Sequence, residues 1–213
     1  MTLSHGWSIN KIDNINIWFK GYLINNNKED FFASLKSIIS KENLLLKDIE
    51  EYIKSTNGHY AIVVQKGNFI FSAVDRIKSI PIYYTNIGDD YIISNSSVDL
   101  KKTHKPNIKV NSQSILEVAM SGYTIGRKTI YKNILQLMAG ECLFFQENDF
   151  SIKNYYNFLP FNKAERDEDL LSTIFSDTMI TIMKNVISSC EGRQIVVPLS
   201  AGKDSRLIVS ALY

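Results

Sequence analysis

The residues from Ser200 to Ser205 combine small side chains with groups that bind polyphosphate. They read Ser200-Ala201-Gly202-Lys203-Asp204-Ser205. Small residues let phosphate oxygens approach the backbone amides, while the serine hydroxyls and the lysine amine add donors. Asp204 is suited to hold Mg²⁺ or the first turn of a helix. The Walker spacing GxxxxGK[ST] is absent, so the sequence predicts a phosphate loop of another type.

Two flanking patterns predict how this loop is positioned. The run Gln194–Leu199 is typical of a strand that is buried on both sides in a parallel sheet. Helical spacing then follows at Leu207, Ile208, Ala211 and Leu212. A strand, a short loop and a helix together direct backbone N–H groups and a helix N-terminus at an anion. The same pattern also fits a tight turn in which Asp204 and Ser205 only cap the helix.

Short strands alternate with turns and helices in the first three quarters of the chain. Strands are predicted at Ile15–Ile24, His59–Gln65, Phe69–Val74, Pro81–Thr85, Tyr91–Asn95, Glu141–Gln146 and Ser151–Tyr156. Helices are predicted at Lys28–Ile39, Leu46–Ser55 and Ser112–Met120, the last with Ser112 as its cap and Ile115, Leu116, Ala119 and Met120 as its buried stripe. The hairpin signals favour an antiparallel meander, so the predicted class is α+β.

A polar segment that contains a proline divides the chain. Residues 157–166 include Pro160 and lie between two patterned regions, which predicts a linker. A long helix is predicted to follow, from Asp167 to about Ser188. We therefore expect a domain over 1–156, a linker over 157–166 and the first part of a second domain over 167–213.

Composition excludes several classes of partner. The 213 residues carry 24 Lys and Arg against 22 Asp and Glu, a formal net charge of +2. A field this weak favours neither nucleic acid nor an anionic membrane. No signal peptide and no run of about 18 apolar residues is recognised, so we expect a cytoplasmic protein. Cys142 and Cys190 lie far apart, which predicts reduced thiols rather than a zinc or redox motif.

The phosphate loop resembles a known motif. Val197–Arg206 is similar to the pyrophosphate-binding motif SGGxDS of the ATP-pyrophosphatase superfamily, with the Pro-Leu that asparagine synthetases place before it. Ala201 stands where the family has its first glycine, so a positive φ there would strain the loop. The residues implied to bind ATP are Leu199, Ser200, Ala201, Gly202, Lys203, Asp204 and Ser205. Mg²⁺ is implied at Asp204, carried in by ATP.

Upstream segments resemble landmarks of the same family in the same order. They are Phe19–Asn25 (NGEIYN), Asn57–Ile62 (G-x-FA), Val74–Tyr84 (RDxxGxxPLYY) and Gly126–Glu141 (T-[IL]-[FY]-x-x-I-x-x-x-x-x-G-E). The chain therefore resembles the asparagine synthetase family, which joins a class II glutamine amidotransferase domain to an ATP-pyrophosphatase domain. We interpret the glycines of these segments as fold-determining rather than catalytic.

The resemblance implies a fold in two parts. The first is an α+β domain, an N-terminal-nucleophile (Ntn) hydrolase-like αββα sandwich. The second is the first strand, loop and helix of an α/β ATP-pyrophosphatase domain of the adenine nucleotide alpha hydrolase type.

The resemblance also indicates that the glutaminase has lost essential groups. The family uses a cysteine directly after the initiator Met, whose own α-amino group acts as base, and this chain has Thr2. Threonine is also able to serve as an N-terminal nucleophile. Lys20, however, replaces the asparagine that helps build the oxyanion hole, and Tyr22 replaces the neighbouring glutamate. Because one lost oxyanion donor costs roughly 10²–10³ in rate, we expect an inactive glutaminase scaffold.

The activity implied by the resemblance is ATP-dependent amidation, as in asparagine biosynthesis. A carboxylate reacts at the α-phosphate of ATP to give an acyl-adenylate and pyrophosphate, and ammonia or an amine then displaces AMP. The expected partners are ATP, a small carboxylate and ammonia or an amine, in a chain compatible with a homodimer. The acid and the nitrogen donor stay open.

Two forms of the protein fit these expectations. Because the sequence ends eight residues after Ser205, we expect a fragment of a longer ligase. The alternative is a truncated, non-catalytic binding or regulatory module built on the same fold.

Overall fold

Two compact units make up the chain, Met1–Asn157 and Phe158–Tyr213. The structure, a computed structural model, describes residues 6–24, 26–88, 90–104, 108–146, 149–159 and 167–212. The predicted linker lies mostly outside these ranges, including Pro160.

The first unit carries all the strands that the described residues form. They are β1 (Ser8–Ile12), β2 (Ile15–Leu23), β3 (Gly58–Lys66), β4 (Phe69–Val74), β5 (Tyr83–Ile87), β6 (Asp90–Ser94), β7 (Leu135–Gln136), β8 (Glu141–Gln146) and β9 (Asp149–Asn154). Its helices are α1 (Lys28–Ile39), α2 (Leu46–Ser55), α3 (Ser97–His104) and α4 (Ser112–Ser121). The second unit contains α5 (Glu168–Ser189) and α6 (Lys203–Leu212).

The strands of the first unit form two antiparallel sheets. The large sheet has six strands in the order β1-β2-β3-β4-β8-β9, and the small sheet has three in the order β6-β5-β7. Every pairing between named strands in both sheets is antiparallel. The predicted α+β class is therefore confirmed.

Two cores hold the layers of this unit together. On one face of the large sheet, Phe19 packs against Phe31 and Leu35 of α1 and other buried residues of α1 and α2. On the other face, Val63 and Leu143 join residues of the small sheet and its flanks in a second buried cluster. The helix α3 packs against β5 and β6. The two sheets thus face each other and helices cover them, as expected for a sandwich.

Asparagine and aspartate side chains cap the N-termini of α1 and α5. Asn27 Oδ1 accepts a hydrogen bond from the Glu29 amide at 2.9 Å, and Asp167 Oδ1 accepts one from the Leu170 amide at 2.9 Å. Such caps satisfy amides that the first helical turn leaves without a partner. The α1 and α2 predictions are confirmed at both ends.

The predicted meander is wrong at one connection. β4 and β5 lie in different sheets, because β8 occupies the edge of β4 that a meander would give to β5. The chain leaves the large sheet at Asp75, whose carboxylate accepts hydrogen bonds from the amides of Ile77 and Ser79 and bends the backbone. Sequence patterns at strand ends indicate a turn but not the sheet that follows it.

The prediction for α4 is wrong in two respects. Its cap is Asn111, whose Oδ1 accepts from the Gln113 and Ser114 amides, rather than Ser112. The predicted buried stripe is exposed, with Leu116 at 60% and Met120 at 79%, and Ser114 is the buried residue instead. Helical periodicity shows that a face is apolar, but tertiary packing decides whether anything covers it.

The predicted strand Gln194–Leu199 is not formed. No hydrogen-bonded ladder is present there in the described part of the chain, and Val196 is 77% exposed. A central parallel strand needs neighbours on both sides, and the second unit provides none in its described residues. The helix predicted after the loop is confirmed as α6.

Among the described residues, one helix is by length and composition alone long and apolar enough to cross a membrane. It is α5, with a mean hydropathy of 1.2 in its most apolar 18-residue window and 6% of that window buried. This corrects the expectation that no such segment occurs. Asp177 and Lys184 lie within the helix, and charged groups are costly in a bilayer. Helices that pack against other parts of a protein can have the same length and composition as α5, so these two properties do not identify a membrane span.

Gly140 offers a test of the packing between the last two strands. Its φ is +70°, and a Cβ there would lie 2.2 Å from the Tyr156 carbonyl oxygen. Gly67 is the matched control, because its φ is +54° and a Cβ would meet nothing within 4 Å.

We expect Gly67→Ala to lower the free energy of unfolding by about 1–2 kcal/mol through backbone strain alone. Gly140→Ala should cost roughly 1–3 kcal/mol more, because the Tyr156 backbone must also move. Urea unfolding of both variants measures the difference. Equal losses would contradict this account of Gly140.

Candidate functional site

The loop from Leu199 to Ser205 (the 199–205 loop) leads directly into α6 and is closed by two serines. The Ser200 amide donates to Ser205 Oγ at 3.2 Å, and the two hydroxyl oxygens lie 3.1 Å apart. Ser205 Oγ also donates to the Ser200 carbonyl at 3.3 Å. These bonds tie the two ends of the loop together. The residues between them are exposed.

The amides at the start of α6 suit an anion. The first N–H groups of a helix have no partner within it and carry the positive end of the helix dipole. The Gly202 amide donates to Ser200 Oγ at 3.2 Å, so a bound phosphate would compete with that hydroxyl. A Cβ at Gly202 would lie 3.2 Å from the same oxygen, which explains a glycine at this position.

Ala201 fits the loop without strain. The described non-glycine residues with a positive φ are Asp13, Lys78, Asn133 and Glu191, and Ala201 is not among them. The methyl group in place of the family's first glycine is therefore tolerated. The Ala201 carbonyl oxygen accepts a hydrogen bond from Arg206 Nη2 at 2.7 Å, which helps to fix the loop.

Lys203 and Asp204 are both exposed at the first turn of α6. Within the described ranges, no group of three or more His, Cys, Asp or Glu residues comes together to hold a metal ion. Asp204 therefore belongs to no cluster of described residues large enough to form a protein-only Mg²⁺ site. A divalent ion here would have to arrive with the phosphates of a nucleotide.

The glutaminase positions lie in the first unit, away from this loop in sequence. Thr2 is outside the described residues. Lys20 lies on β2, and a Cβ built on Gly6 would be 3.5 Å from Lys20 Nζ, so the amine is beside the chain that precedes β1. The ring of Tyr22 contacts His59, with centroids 5.2 Å apart. Lys20 and Tyr22 are the residues that, by the resemblance, we expect in place of an asparagine and a glutamate.

Gly21 and Gly58 allow the backbones of β2 and β3 to approach closely. A Cβ on Gly21, where φ is +110°, would lie 2.0 Å from the His59 carbonyl oxygen. A Cβ on Gly58 would lie 2.5 Å from the Tyr22 carbonyl oxygen. Both glycines are required for packing, in agreement with their interpretation as fold-determining.

An ion pair between the buried Glu141 and the partly exposed Arg127 was not anticipated from the sequence. Glu141 is 5% exposed, and both its oxygens accept from Arg127 Nε at 3.0 Å. Arg127 Nη2 donates to Glu141 Oε1 at 2.6 Å, and this bonding raises the pKa of Arg127. Glu141 Oε2 also accepts the Met138 amide at 2.8 Å. The pair fixes the segment before β8. Its two residues are 14 positions apart, so neighbouring residues in the sequence do not indicate that they meet.

Cys142, one of the two cysteines, is not suited to act as a glutaminase nucleophile. Cys142 is fully buried on β8, where burial and the nearby charges of Glu50 and Glu141 raise the pKa of its thiol to about 12. A thiol with so high a pKa is scarcely ionised at neutral pH and is a poor nucleophile. Cys190 is the C-cap of α5 in the second unit and is partly exposed.

Comparison with known proteins assigns the first unit to a family. Residues 43–156 match the family described as "Glutamine amidotransferase domain", which is more than half of the chain. The chain belongs to this family. The matched range begins after Lys20 and Tyr22, so it does not include these two residues.

Relatives extend the comparison beyond this domain. The chain is 28% identical over 172 residues to "Asparagine synthetase [glutamine-hydrolyzing] 3" of Bacillus subtilis (strain 168), a match that covers 76% of this chain and 26% of that protein. The chain therefore spans about a quarter of the length of this relative. The resemblance to the asparagine synthetase family is confirmed at this level.

Two solved structures are also similar. One is glutamine phosphoribosylpyrophosphate amidotransferase from B. subtilis complexed with ADP and GMP, at 14% identity, covering 70% of this chain and 31% of that chain. The other is the allosteric regulatory enzyme of purine biosynthesis, at 13% identity, covering 94% of this chain and 43% of that chain. Both have a TM-score of 0.41, which is too low to bear on the fold.

The reactivity of Cys142 towards a thiol reagent tests whether β8 is buried in the first unit, and Cys190 serves as the accessible reference. In the folded protein at pH 8, iodoacetamide should modify Cys190 and leave Cys142 untouched, because Cys142 is buried and protonated. Mass spectrometry of the Cys190→Ser variant isolates the behaviour of Cys142. Labelling of Cys142 in that variant before urea unfolds it would show that β8 is not buried as described.

Proposed function

We propose that this chain is part of an ATP-dependent ligase that amidates a small carboxylate and forms AMP and pyrophosphate. Its amidotransferase unit serves in this proposal as a scaffold without glutamine hydrolysis. The single observation that carries the proposal is the exposed 199–205 loop at the N-terminus of α6, with its ends closed by Ser200 and Ser205.

The loop supports pyrophosphate release by its chemistry. Negative charge grows on the departing pyrophosphate, and amides and hydroxyls already aimed at that position stabilise it. The amides at the start of α6, the hydroxyl of Ser200 and the amine of Lys203 are the groups available. In this proposal Asp204 shares the Mg²⁺ that ATP brings. ATP and Mg²⁺ are the cofactors that this role requires.

The geometry near Lys20 supports the loss of glutaminase activity. An oxyanion hole needs N–H donors held in place at the developing charge, and Lys20 instead brings the amine of a long side chain beside the segment before β1. Without glutamine hydrolysis, nitrogen comes in the proposed reaction from free ammonia or from an amine. We place this reaction in the cytoplasm, without nucleic acid and without a membrane.

Exposed apolar side chains support a longer ligase over the truncated module. Ile195, Val196 and Ile208 lie on either side of the loop, and each is more than a third exposed. One extended segment and one helix cannot bury such side chains by themselves. In the proposed protein, residues 1–156 form the amidotransferase-like domain, 157–166 the linker and 167–213 the first part of the ATP-binding domain.

Glutamine hydrolysis should be absent. We expect the purified chain to release no more ammonia from glutamine than buffer does, because Lys20 replaces an oxyanion donor worth roughly 10²–10³ in rate. A coupled glutamate dehydrogenase assay measures the ammonia, with an active glutaminase as positive control and Thr2→Ala as the matched variant. Hydrolysis that disappears in Thr2→Ala would refute the scaffold role.

Carboxylate activation should depend on the loop. The product of the intact reading frame should exchange labelled pyrophosphate into ATP when the correct carboxylate is added, with aspartate and sugar acids as the first candidates. Ser205→Ala should lower this exchange by roughly 10²-fold, because it removes a hydroxyl from the loop. Ser210→Ala, on the same helix but beyond the loop, should leave the exchange unchanged. Equal exchange in both variants would reject the loop as the pyrophosphate site.

A further inference from the structure

Lys78 adopts a backbone conformation that favours glycine. Its φ is +55°, in the connection between β4 and β5. A left-handed residue with a side chain costs about 1–2 kcal/mol, and such residues persist where the surrounding structure holds them. The Lys78 amide donates to the Asp75 carbonyl at 3.1 Å, and the Asp75 carboxylate accepts the amides of Ile77 and Ser79. This turn determines the direction of the lysine side chain.

A fixed glutamine holds the Lys78 amine. Lys78 Nζ donates to Gln136 Oε1 at 2.7 Å. Gln136 Nε2 in turn donates to Thr124 Oγ1 at 3.2 Å and to the Lys128 carbonyl at 3.0 Å, so the amide oxygen is oriented towards Lys78. An ammonium has three donors, and Gln136 accepts one of them.

The carboxylate whose charge acts on Lys78, that of Glu141, already has another cationic partner. Glu141 binds Arg127, and Glu117 binds Lys128. Lys78 forms no ion pair with a carboxylate of the described residues. Burial lowers the pKa of Lys78, while Glu141 acts in the opposite direction. The ammonium is thus a partly buried positive charge that lacks a direct anionic partner.

Lys78 lines an open cavity of about 390 Å³. Tyr83, Ser97 and Thr124 also line it, together with the apolar residues Val118 and Met138. Sites for small molecules measure about 300–1,000 Å³ and combine apolar walls with a few polar groups, as this cavity does.

We propose that this cavity binds a small organic monocarboxylate, with the carboxylate on Lys78 Nζ and the carbon chain against Val118 and Met138. A single cation in a wall that also carries apolar side chains matches one negative charge on a carbon chain, whereas inorganic phosphate carries more charge and needs more donors. The site lies in the first unit and does not depend on the proposed ligase reaction.

A purely structural role for Lys78 leads to a different expectation. If the side chain only filled space, glycine would serve as well and would remove the backbone strain at φ +55°. The variant Lys78→Gly therefore separates the two roles. It should unfold at a temperature no lower than the wild type and should lose the bound anion.

Ligand-observed NMR titration of the 213-residue protein tests the proposal. Sodium butyrate should give saturable binding that weakens at least about tenfold in Lys78→Gly, as expected when a hydrogen bond to a charged group is lost. Butyramide, which has the same shape without the charge, should not bind measurably. Lys47→Ala, at an exposed lysine of α2, is the matched control and should bind butyrate as the wild type does.

Other outcomes would overturn the proposal. These are the absence of saturable butyrate binding to the wild type, equal binding by Lys78→Gly, equal binding of butyramide, or tighter binding of inorganic phosphate than of butyrate. A thermal unfolding scan of each variant shows that the titrated protein is folded. Should Lys78→Gly unfold, Lys78→Asn replaces it, because asparagine tolerates the left-handed conformation and also removes the amine.

Discussion

The arrangement of the first unit depends on the buried carboxylate of Asp75. Asp75 is 1% exposed, and its oxygens accept hydrogen bonds from the amides of Tyr60, Ile77 and Ser79 at 2.9–3.1 Å. A buried carboxylate without such partners would be costly, so these bonds must form together. They hold the chain at the place where it leaves the large sheet for the small one. Without that crossing the two sheets would not face each other.

The same residue connects distant parts of the chain. The Asp75 carbonyl accepts the amides of both Lys78 and Gly140, at 3.1 Å each. Gly140 in turn directs the chain into β8, whose first residue is the buried Glu141. The turn at Asp75 therefore helps to fix both Lys78 and, through Gly140, the Arg127–Glu141 pair. A binding site there would be preorganised by the contacts that determine the fold.

The amidotransferase domain and the candidate phosphate-binding loop are different parts of this chain. The match to the glutamine amidotransferase family covers residues 43–156, within the first unit, while the 199–205 loop belongs to the second. The proposed loss of glutaminase activity, through Lys20 and Tyr22, would leave the sheets and close-packed glycines of the first unit intact. Fold and activity are thus able to change independently, since the contacts that stabilise a sandwich are not those that hydrolyse an amide.

Local patterns in the sequence determined α1, α2 and most strands, because caps such as Asn27 and apolar spacing act between near neighbours in the chain. They also identified the 199–205 loop and the family, since small residues and turns leave a local signature. Tertiary structure alone decided that β8 rather than β5 lies beside β4, that the apolar face of α4 stays exposed, and that Gln194–Leu199 forms no strand. Each of these outcomes depends on which distant segment is present to pair or pack, and short-range periodicity carries no such information.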